Sequence, residues 1–551
     1  MKGIIIMSDA SEIIFWSADT ELTDRLKEKT IEKGLHNTVN GDIEADLRDY
    51  ALLNWLQPQK LAFDCLSFGL NNPLQYSKTD DGVTIVYQKL DAWFYVGIDG
   101  DETVQEDTIL RKIRICHQLI RLHYGLSLSK FANLQGNERQ NQWQYFDSLI
   151  KFWFHLCNNE QAFLFEAIER VRLDSSLSQI CISAIKEARN CHVKSSGEKI
   201  QHAMLLQNHK IISTYSSENA LELECGDLLL IIGLSYFLLT DVSQSVVRDS
   251  GTEEHKINCF RRLIFLPFGN FGFIPFIIHG IKIYSGMIFV FVLKVENEKV
   301  AKSLCDCATK LSAIMREDAV IKKDMRTKIA MFESEIKTLA SLLKKKNLDN
   351  RVNKLISLWT KLRREDLEPI SSGSLQNNPS EKTIQMLNNL QGRIKAIFSY
   401  LFPANAINSE ELPGNLEKIY GILKQRLDDY KDFVLVKGSY NNEIGFYNDT
   451  CPRLLHFVFL NRTTGKIITP YIDTGECAAR DVNFAVVKEL RQFGIFALKC
   501  GCNYVAVRKE DFFCTYRMWF EGKSNSVVEP ERIIKIGNIY PLGTVCGDTF
   551  M

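Results

Sequence analysis

The chain begins with MKGIIIMSDASEIIFW, residues 1–16, and this stretch decides the fold of its first part. Residues 4–7 are a continuous apolar run, residues 8–11 carry turn-forming side chains, and residues 13–16 are a second run of β-branched and aromatic residues. This order is typical of a β-hairpin. A strand so near an N-terminus is held in place when it lies inside a sheet, so we expect the first domain to begin at the first residue.

The same order of residue types returns twice. AMLLQNHKIISTYSS starts at residue 203 and DFVLVKGSYNNEIGFY at residue 432, and both place a polar turn between two apolar runs. The wide spacing favours repeated domains over a solenoid, whose period would be about 20 to 50 residues. Because hairpins are common, a chance match of the three stretches is the alternative interpretation.

The residues after each hairpin favour repetition. Apolar spacing after the first hairpin predicts a helix, three strands and a helix, at residues 42–56, 61–68, 83–90, 93–98 and 104–124. The second hairpin is followed by the same order, with a turn near residues 279–284, at residues 225–239, 263–266, 273–278, 287–295 and 297–315. After the third hairpin come two strands, a helix and two strands, at residues 454–461, 466–471, 478–493, 504–507 and 512–520. We therefore predict three α/β domains of one kind, of which the third is a variant.

Helical periodicity marks the segments between these domains. Residues 142–158, 160–172 and 182–189 are predicted to be helical. Between residues 322 and 346 a heptad stripe contains six apolar residues, Met325, Ile329, Phe332, Ile336, Leu339 and Leu343. Two interpretations are open: a long helix docked on its own domain, or a helix that pairs with a partner protein.

Charge and hydropathy restrict the class of protein. The 551 residues carry 67 lysines and arginines against 67 aspartates and glutamates, so no global field favours nucleic acid or anionic lipid. Local basic clusters occur at residues 322–323, 344–346 and 363–364, and each is either a solvated helix face or a contact with a membrane surface. The apolar stretch at residues 228–239 is shorter than the roughly 20 residues that a spanning helix needs.

Cysteines and motifs favour a cytoplasmic binding protein. The count of 15 cysteines is odd and no signal peptide precedes the first strand, so we expect reduced thiols. Cys305 with Cys307, and Cys500 with Cys502, form CxC pairs that fit either a zinc site or buried core thiols. The GKS tripeptide at residues 522–524 lacks the preceding glycine of a phosphate-binding loop. We expect no metal, no cofactor and no covalent chemistry.

The order of elements, a hairpin followed by a helix, three strands and terminal helices, resembles a longin (roadblock-related) domain. Four phrases narrow the resemblance: MKGIIIMSDASEIIFW, DGDETVQEDTILRKIRICHQLIRLHYGL, DDYKDFVLVKGSYNNEIGFYNDTCPRLLHFVFLNRTTGKIITP and EDFFCTYRMWFEG. They are similar to the Hermansky–Pudlak syndrome type 1 family of tri-longin proteins of vesicle traffic, and the turn at residues 462–465 is the most specific match. The resemblance implies three αβα domains with mainly antiparallel sheets, joined by helical segments.

The resemblance also implies domain boundaries. We expect a first longin domain, a helical connector, a second longin domain, a helical linker and a third longin-like domain, at residues 1–128, 129–197, 198–346, 347–428 and 429–551. Two features depart from the family pattern. Residues 241–255 replace a long Ser/Pro-rich insertion, which puts regulation through that insertion in doubt, and the sequence stops where the pattern continues into terminal helices.

The function implied by the resemblance is regulatory. Members of the family form an obligate heterodimer with the Hermansky–Pudlak syndrome type 4 protein, and the pair is a guanine-nucleotide exchange factor for Rab GTPases in the biogenesis of melanosomes and other lysosome-related organelles. The paired first longin domains bind the GTPase in the cytoplasm, with a fraction recruited peripherally to organelle membranes. The candidate surface residues are Phe15 and Trp16 on the second strand, and Asp46, Tyr50 and Leu53 on the first helix. For Phe15, Trp16 and Leu53, core packing is the alternative.

Two other functions stay open. The first is a non-catalytic trafficking scaffold that binds GTP-loaded Rab as an effector; the second is a zinc or thiol enzyme built on the CxC pairs. An exchange factor prefers the nucleotide-free GTPase, whereas an effector prefers the GTP form. We also expect the lone chain to expose an apolar sheet edge or helix face where its second subunit docks.

Overall fold

The computed structural model forms two compact units, Met1–Phe154 and His155–Met551, which are described separately. The residues that the structure describes are 2–8, 12–25, 76–79, 82–91, 93–101, 104, 106–240, 257–268, 272–295, 297–315, 322–345, 349–368, 381–403, 416–441, 454–470, 494, 502–509 and 512–519.

The first unit contains strands β1 to β5 and the first helices. In chain order these are β1 Lys2–Ser8, β2 Ile13–Ala18, β3 Tyr76–Lys78, β4 Thr84–Leu90, β5 Trp93–Asp99, α1 Glu106–Tyr124, α2 Leu128–Ala132 and α3 Gly136–Asn159, whose last residues belong to the second unit. The predicted hairpin at residues 2–16 and the helix at 104–124 are confirmed. The predicted helix at 42–56 and strand at 61–68 lie outside the described residues.

The second unit contains the remaining described elements. They are α4 Gln161–Phe165, β6 Ile168–Glu169, α5 Ser175–Ser196, β7 Ile200–Gln207, β8 Lys210–Ser216, α6 Cys225–Thr240, β9 Cys259–Phe268, β10 Gly272–Tyr284, β11 Met287–Lys294, α7 Glu298–Met315, α8 Lys322–Lys344, α9 Asp349–Leu362 with a π-helical continuation Arg363–Leu367, α10 Glu381–Leu401, α11 Leu416–Leu427 with a 3₁₀ turn Asp428–Tyr430, α12 Lys431–Ser439, β12 Leu454–Asn461, β13 Lys466–Ile468, β14 Tyr504–Lys509 and β15 Phe512–Trp519.

The first sheet is fully antiparallel and has the strand order β2-β1-β5-β4-β3. β1 lies between β2 and β5, so that Ile5 stands opposite both Trp16 and Val96. Helix α1 packs on the face that carries Gly97, where any Cβ would collide with the side chain of Ile109. An N-terminal strand inside a sheet explains the long apolar run that follows Lys2.

The second sheet repeats this arrangement with the order β8-β7-β11-β10-β9, again fully antiparallel. The hairpin from residue 203, the helix at 225–239 and the following strands are confirmed. The turn between the last two strands was predicted too early. It lies after Tyr284, where Gly286 takes a left-handed φ of 67°, and β10 runs straight through His279.

Helices cover the second sheet. Apolar side chains of α5, α11 and α12 pack on one face of β7, β10 and β11 and form a continuous core with them. Helices α7, α8, α9 and α10 form a four-helix arrangement in which each helix contacts two others in a ring. Within this bundle α7 contacts β10, and both Phe398 of α10 and Phe402, just after the end of α10, contact Phe265 of β9.

The heptad stripe faces the interior of this bundle. The described stripe residues of α8, from Ile329 to Leu343, are buried. Phe332 packs edge to face on Trp359 of α9 with ring centroids 4.5 Å apart. Of the two interpretations, the structure favours a long helix docked on its own part of the chain.

The third sheet has a different order, β14-β15-β12-β13-β6, and mixes strand directions. β12 runs parallel to β15 and β13 parallel to β6, whereas the other two pairs are antiparallel. The predicted strands at 454–461, 466–471, 504–507 and 512–520 are found within one to three residues of the observed bounds. The predicted helix at 478–493 lies outside the described residues.

Two predicted elements of the second unit are wrong. Residues 160–172 do not form one helix, because Glu166 takes a left-handed φ of 48° and β6 follows it. The stretch from residue 432 does not begin with a strand, because residues 431–439 are helical and residues 442–447 lie outside the described part of the chain. Residues 168–171 pair with β13 and with Ile211 of β8, so these edges of β13 and β8 are already occupied.

The fold class predicted from the sequence is confirmed: the protein is α/β, and of the three five-stranded sheets in the described part of the chain the first two are antiparallel and the third is mixed. Within the described residues, no helix combines the length and the apolar composition needed to cross a bilayer.

Candidate interaction surfaces

Phe15, the first predicted surface residue, is fully buried. Its ring packs against Phe131 of α2 at 6.0 Å between centroids and against Trp143 of α3 at 5.8 Å. The expectation of a surface position is therefore corrected: Phe15 belongs to the core of the first unit. Its neighbours come from later helices, which the sequence of β2 does not reveal.

Trp16 lies on the opposite face of β2 and is half-buried. It packs on a cluster that includes Ile5 and Met7. Asp46, Tyr50 and Leu53 lie outside the described residues. Of the five predicted surface residues, Trp16 is the one that the structure places with a partly exposed side chain.

Helix α3 holds the edge strand β2 by polar contacts at both ends. Arg139 donates from Nη2 to the carbonyl oxygen of Ile13 at 3.0 Å, and its guanidinium lies 4.4 Å from the ring centroid of Trp143. Ser17 donates from Oγ to Asp147 at 2.6 Å. These contacts satisfy polar groups that an edge strand would otherwise offer to another chain.

A polar array beneath α1 resembles a catalytic relay in its residue types. Tyr95 Oη and His117 Nδ1 lie 2.7 Å apart, and His117 Nε2 lies 3.3 Å from Asp91. Burial raises the pKa of Tyr95 and lowers that of His117, because each charged form would lose hydration. Since Tyr95 is fully buried, the array fixes α1 on the sheet and presents no accessible nucleophile.

The most prominent exposed apolar surface among the described residues is on α12. Phe433, Leu435, Val436 and the following residue Tyr440 are exposed, and no other described helix or strand carries as many exposed large apolar side chains. Val434 and Gly438 face inward, and Val434 joins the core of the second sheet. Phe433, Val436 and Tyr440 follow the i, i+3, i+7 spacing of one side of a helix, whereas Leu435 does not, and we call these three residues the α12 apolar face. It is a surface of the kind that protein partners cover.

The C-terminal end of α12 is anchored by the turn between β7 and β8. Lys210 donates from Nζ to the carbonyl oxygen of Gly438 at 2.7 Å, and Asn208 donates to Ser439 Oγ at 3.0 Å. Asn208 and His209 both take left-handed backbone conformations, with φ of 46° and 64°. Gly438 is required at its position because a Cβ there would collide with the side chain of Gln207.

Asn441 extends the anchor to the connecting strand β6. Its Nδ2 donates to Glu169 at 2.9 Å and to the carbonyl oxygen of Arg170 at 2.8 Å, and its Oδ1 accepts from the backbone N–H of Arg172 at 2.8 Å. Lys210 Nζ lies 3.8 Å from Glu169 Oε1, and both residues are buried. Burial raises the pKa of Glu169, although Lys210 and Asn441 oppose the shift. The α12 apolar face is thus carried by a helix with a fixed end.

Little in the sequence indicates this anchor. The QNHK turn was visible as a turn, and asparagine is a common residue at a left-handed position. Glu169, Lys210 and Asn441 are far apart in the chain, and no local pattern marks them.

The turn at residues 462–465, the most specific phrase of the sequence, lies against the connector. Arg462 is buried and donates from Nη1 to the carbonyl oxygen of Phe165 at 3.1 Å. The backbone N–H of Ile168 donates to the carbonyl oxygen of Gly465 at 2.6 Å. Gly465 takes a φ of 63° beside Cys225, the first residue of α6. The turn therefore connects the third sheet with Phe165 and Ile168, which precede the second sheet in the chain, and with Cys225 of α6.

The CxC pairs have different settings. Cys305 and Cys307 are buried on α7, where Cys305 Sγ accepts the backbone N–H of Phe273 at 3.3 Å and burial raises the pKa of Cys307. Cys502 is half-buried, and Cys500 lies outside the described residues. Within the described part of the chain, no three His, Cys, Asp or Glu side chains converge on a metal site. No protein-family model matches the sequence.

Proposed function

We propose that the chain is one subunit of a heterodimeric guanine-nucleotide exchange factor for Rab GTPases of lysosome-related organelle biogenesis, and that its second subunit is the Hermansky–Pudlak syndrome type 4 protein. The observation that carries the proposal is that the first two sheets share one strand order, which is β2-β1-β5-β4-β3 in the first and β8-β7-β11-β10-β9 in the second. This repetition agrees with the tandem longin domains that the sequence resemblance implies.

Nucleotide exchange requires a shaped surface and no covalent step. The exchange factor binds the nucleotide-free GTPase more tightly than the GDP-bound form, and this difference in affinity shifts the population toward release of GDP. In the proposal the paired first domains supply that surface, with Trp16 among its candidate residues. The α12 apolar face is the described surface that best suits contact with the second subunit, because its three apolar side chains are exposed along one side and at the fixed C-terminal end of α12.

The proposed complex works in the cytoplasm, and a fraction of it is recruited peripherally to organelle membranes. The test is the release of a fluorescent GDP analogue from the candidate Rab, measured with this chain alone, with the second subunit alone and with both. Acceleration by the pair and by neither subunit alone is the expected result. Binding of the pair to GTP-loaded Rab without any acceleration would replace the proposal with an effector scaffold.

A further inference from the structure

The outer side of the four-helix bundle has an unusual distribution of charge. Helices α7 and α10 contact the second sheet, whereas α8 and α9 pack against the other helices of the bundle. The acidic residues of α8 whose side chains the structure describes are engaged by neighbours: Glu335 accepts from Lys310 at 2.6 Å and from Ser303 at 3.1 Å, and Glu333 pairs with Lys337 and Arg363. These ion pairs neutralise the carboxylates near the helix surface.

The exposed charged side chains of α8 and α9 are predominantly cationic. We call the following eight residues the basic face: Arg326, Lys337, Lys344, Lys345, Arg351, Lys354, Lys361 and Arg364. Among them, Lys337 pairs with Glu333, and Arg351 lies over the ring of Tyr400. In the same stretch the exposed acidic side chains, among residues whose burial is described, are Glu365 and Glu368, and Glu368 is bonded to Arg363. Since the whole chain has a formal net charge of zero, this excess is local.

The basic face is extended, and the hydroxyl groups of the neighbouring serines and threonines do not form a polar binding recess beside it. Thr338, Ser341, Ser357 and Thr360 donate to carbonyl oxygens of their own helices. Helix α8 alone is about 35 Å long by its rise per residue. Among the described residues of α8 and α9, the large apolar side chains are buried or half-buried except Met331, which is exposed on α8, so this surface offers no apolar cluster to insert into hydrocarbon.

We propose that the basic face binds the surface of an anionic phospholipid membrane. Cations spread over two neighbouring helices match a planar array of headgroups better than they match a compact acidic motif, which favours a focused cluster of arginines. The contact is electrostatic and peripheral, and it weakens as salt rises. This inference rests on the peripheral membrane recruitment in the proposed function and names the surface that would carry it. Its test contains no GTPase, so failure of vesicle binding and failure of nucleotide exchange can be told apart.

The test is co-sedimentation of the full-length chain with phosphatidylcholine vesicles that contain or lack phosphatidylserine. The variant carries Lys344→Gln, Lys345→Gln, Lys354→Gln and Lys361→Gln. Each lost charge is expected to weaken binding about fivefold, so the four together lower affinity by roughly two orders of magnitude or more. A matched control carries Lys186→Gln, Lys194→Gln, Lys199→Gln and Lys418→Gln, which remove the same charge from exposed positions outside the bundle.

The expected result is binding that requires phosphatidylserine, is lost in the basic-face variant and is kept in the control, with equal thermal melting for all three proteins. Equal loss in both variants would overturn the proposal, since it would show a response to net charge alone. No binding of the wild-type chain would also overturn it. If the wild-type chain ignored vesicles but bound polyglutamate through the same four lysines, an acidic protein would replace the membrane as the partner.

Discussion

The segments that begin at Lys2 and Lys431 have similar residue types but fold differently. β1 lies between two strands, with Ile5 paired to Trp16 and Val96, so its apolar residues are buried on both faces. α12 continues the helical course of α11, buries Val434 and leaves Phe433 exposed. The difference lies in the available neighbours: β1 has two strands to pair with, whereas residues 168–171 already pair with β8 and β13 near α12.

The test with the largest expected effect replaces one phenylalanine in each of the two segments by alanine. Phe15→Ala removes a fully buried ring from its contacts with Phe131 and Trp143, and should lower the free energy of unfolding of the first unit by about 3–5 kcal/mol. Phe433→Ala removes an exposed ring and should change it by less than about 0.5 kcal/mol. Hydrogen exchange of peptides from β1 and from α12, measured in each variant, checks both values. Similar losses in the two variants would show that the α12 ring is covered.

The second test releases the end of α12. Lys210→Met removes the donor to Gly438 and leaves Glu169 buried without its cation, which should cost about 3 kcal/mol. The cost is at the lower end because Asn441 still donates to Glu169, and the raised pKa of that carboxyl favours its neutral form. Amide protection of residues 431–441 should fall most.

Lys431→Met is the matched control for this anchor. Lys431 lies on the same helix and pairs with the exposed Asp428, so its loss should leave the C-terminal end of α12 protected. If α12 kept its protection in Lys210→Met as well, the anchor would have no part in choosing helix over strand.

Part of this architecture was readable from the sequence because it depends on local order. Continuous apolar runs beside polar turns located β1, β2, β7 and β8, and heptad spacing located the buried face of α8. The sequence did not distinguish helix from strand at residues 431–439, and the residues that contact the end of this helix, Lys210 and, through Asn441, Glu169, lie more than 200 positions away. It also did not show that Phe15 is covered, because α2 and α3 supply that cover.

The third test compares how much stability the first and second sheets lose as the pH is lowered. Burial lowers the pKa of His279 from 6.5 to about 3, with His192 and Arg261 adding to the shift and Glu198 opposing it. A histidine with a depressed folded-state pKa adds stability that is complete above its unfolded pKa. That stability falls as pH drops from about 6.5 toward 3, by about 1.4 kcal/mol per pH unit. The second sheet should therefore lose amide protection progressively as the pH falls from about 6.5 toward about 3.

The first sheet should be less sensitive, because His117 has Asp91 beside it to stabilise the protonated ring. His279→Leu should flatten the acid response of β10 and β11, whereas His155→Leu, at an exposed site on α3, should keep the wild-type slope. An unchanged slope in His279→Leu would assign the acid sensitivity to another group.

The smallest expected effect on stability comes from the α12 apolar face itself. Phe433→Ser combined with Val436→Ser changes two exposed side chains of a helix whose buried contacts are Val434 and Gly438, so the free energy of unfolding should shift by no more than about 1 kcal/mol. Binding of the second subunit should weaken at least tenfold if this face lies in the contact, because buried apolar anchors dominate such interfaces. Lys418→Ser, an exposed polar change on α11, serves as the control. Full binding by the doubly substituted chain would remove α12 from the contact and leave the first unit as the site of pairing. It would also mean that α12 keeps its exposed apolar residues because Lys210 and Asn441 fix the end of the helix, and not because a partner covers them.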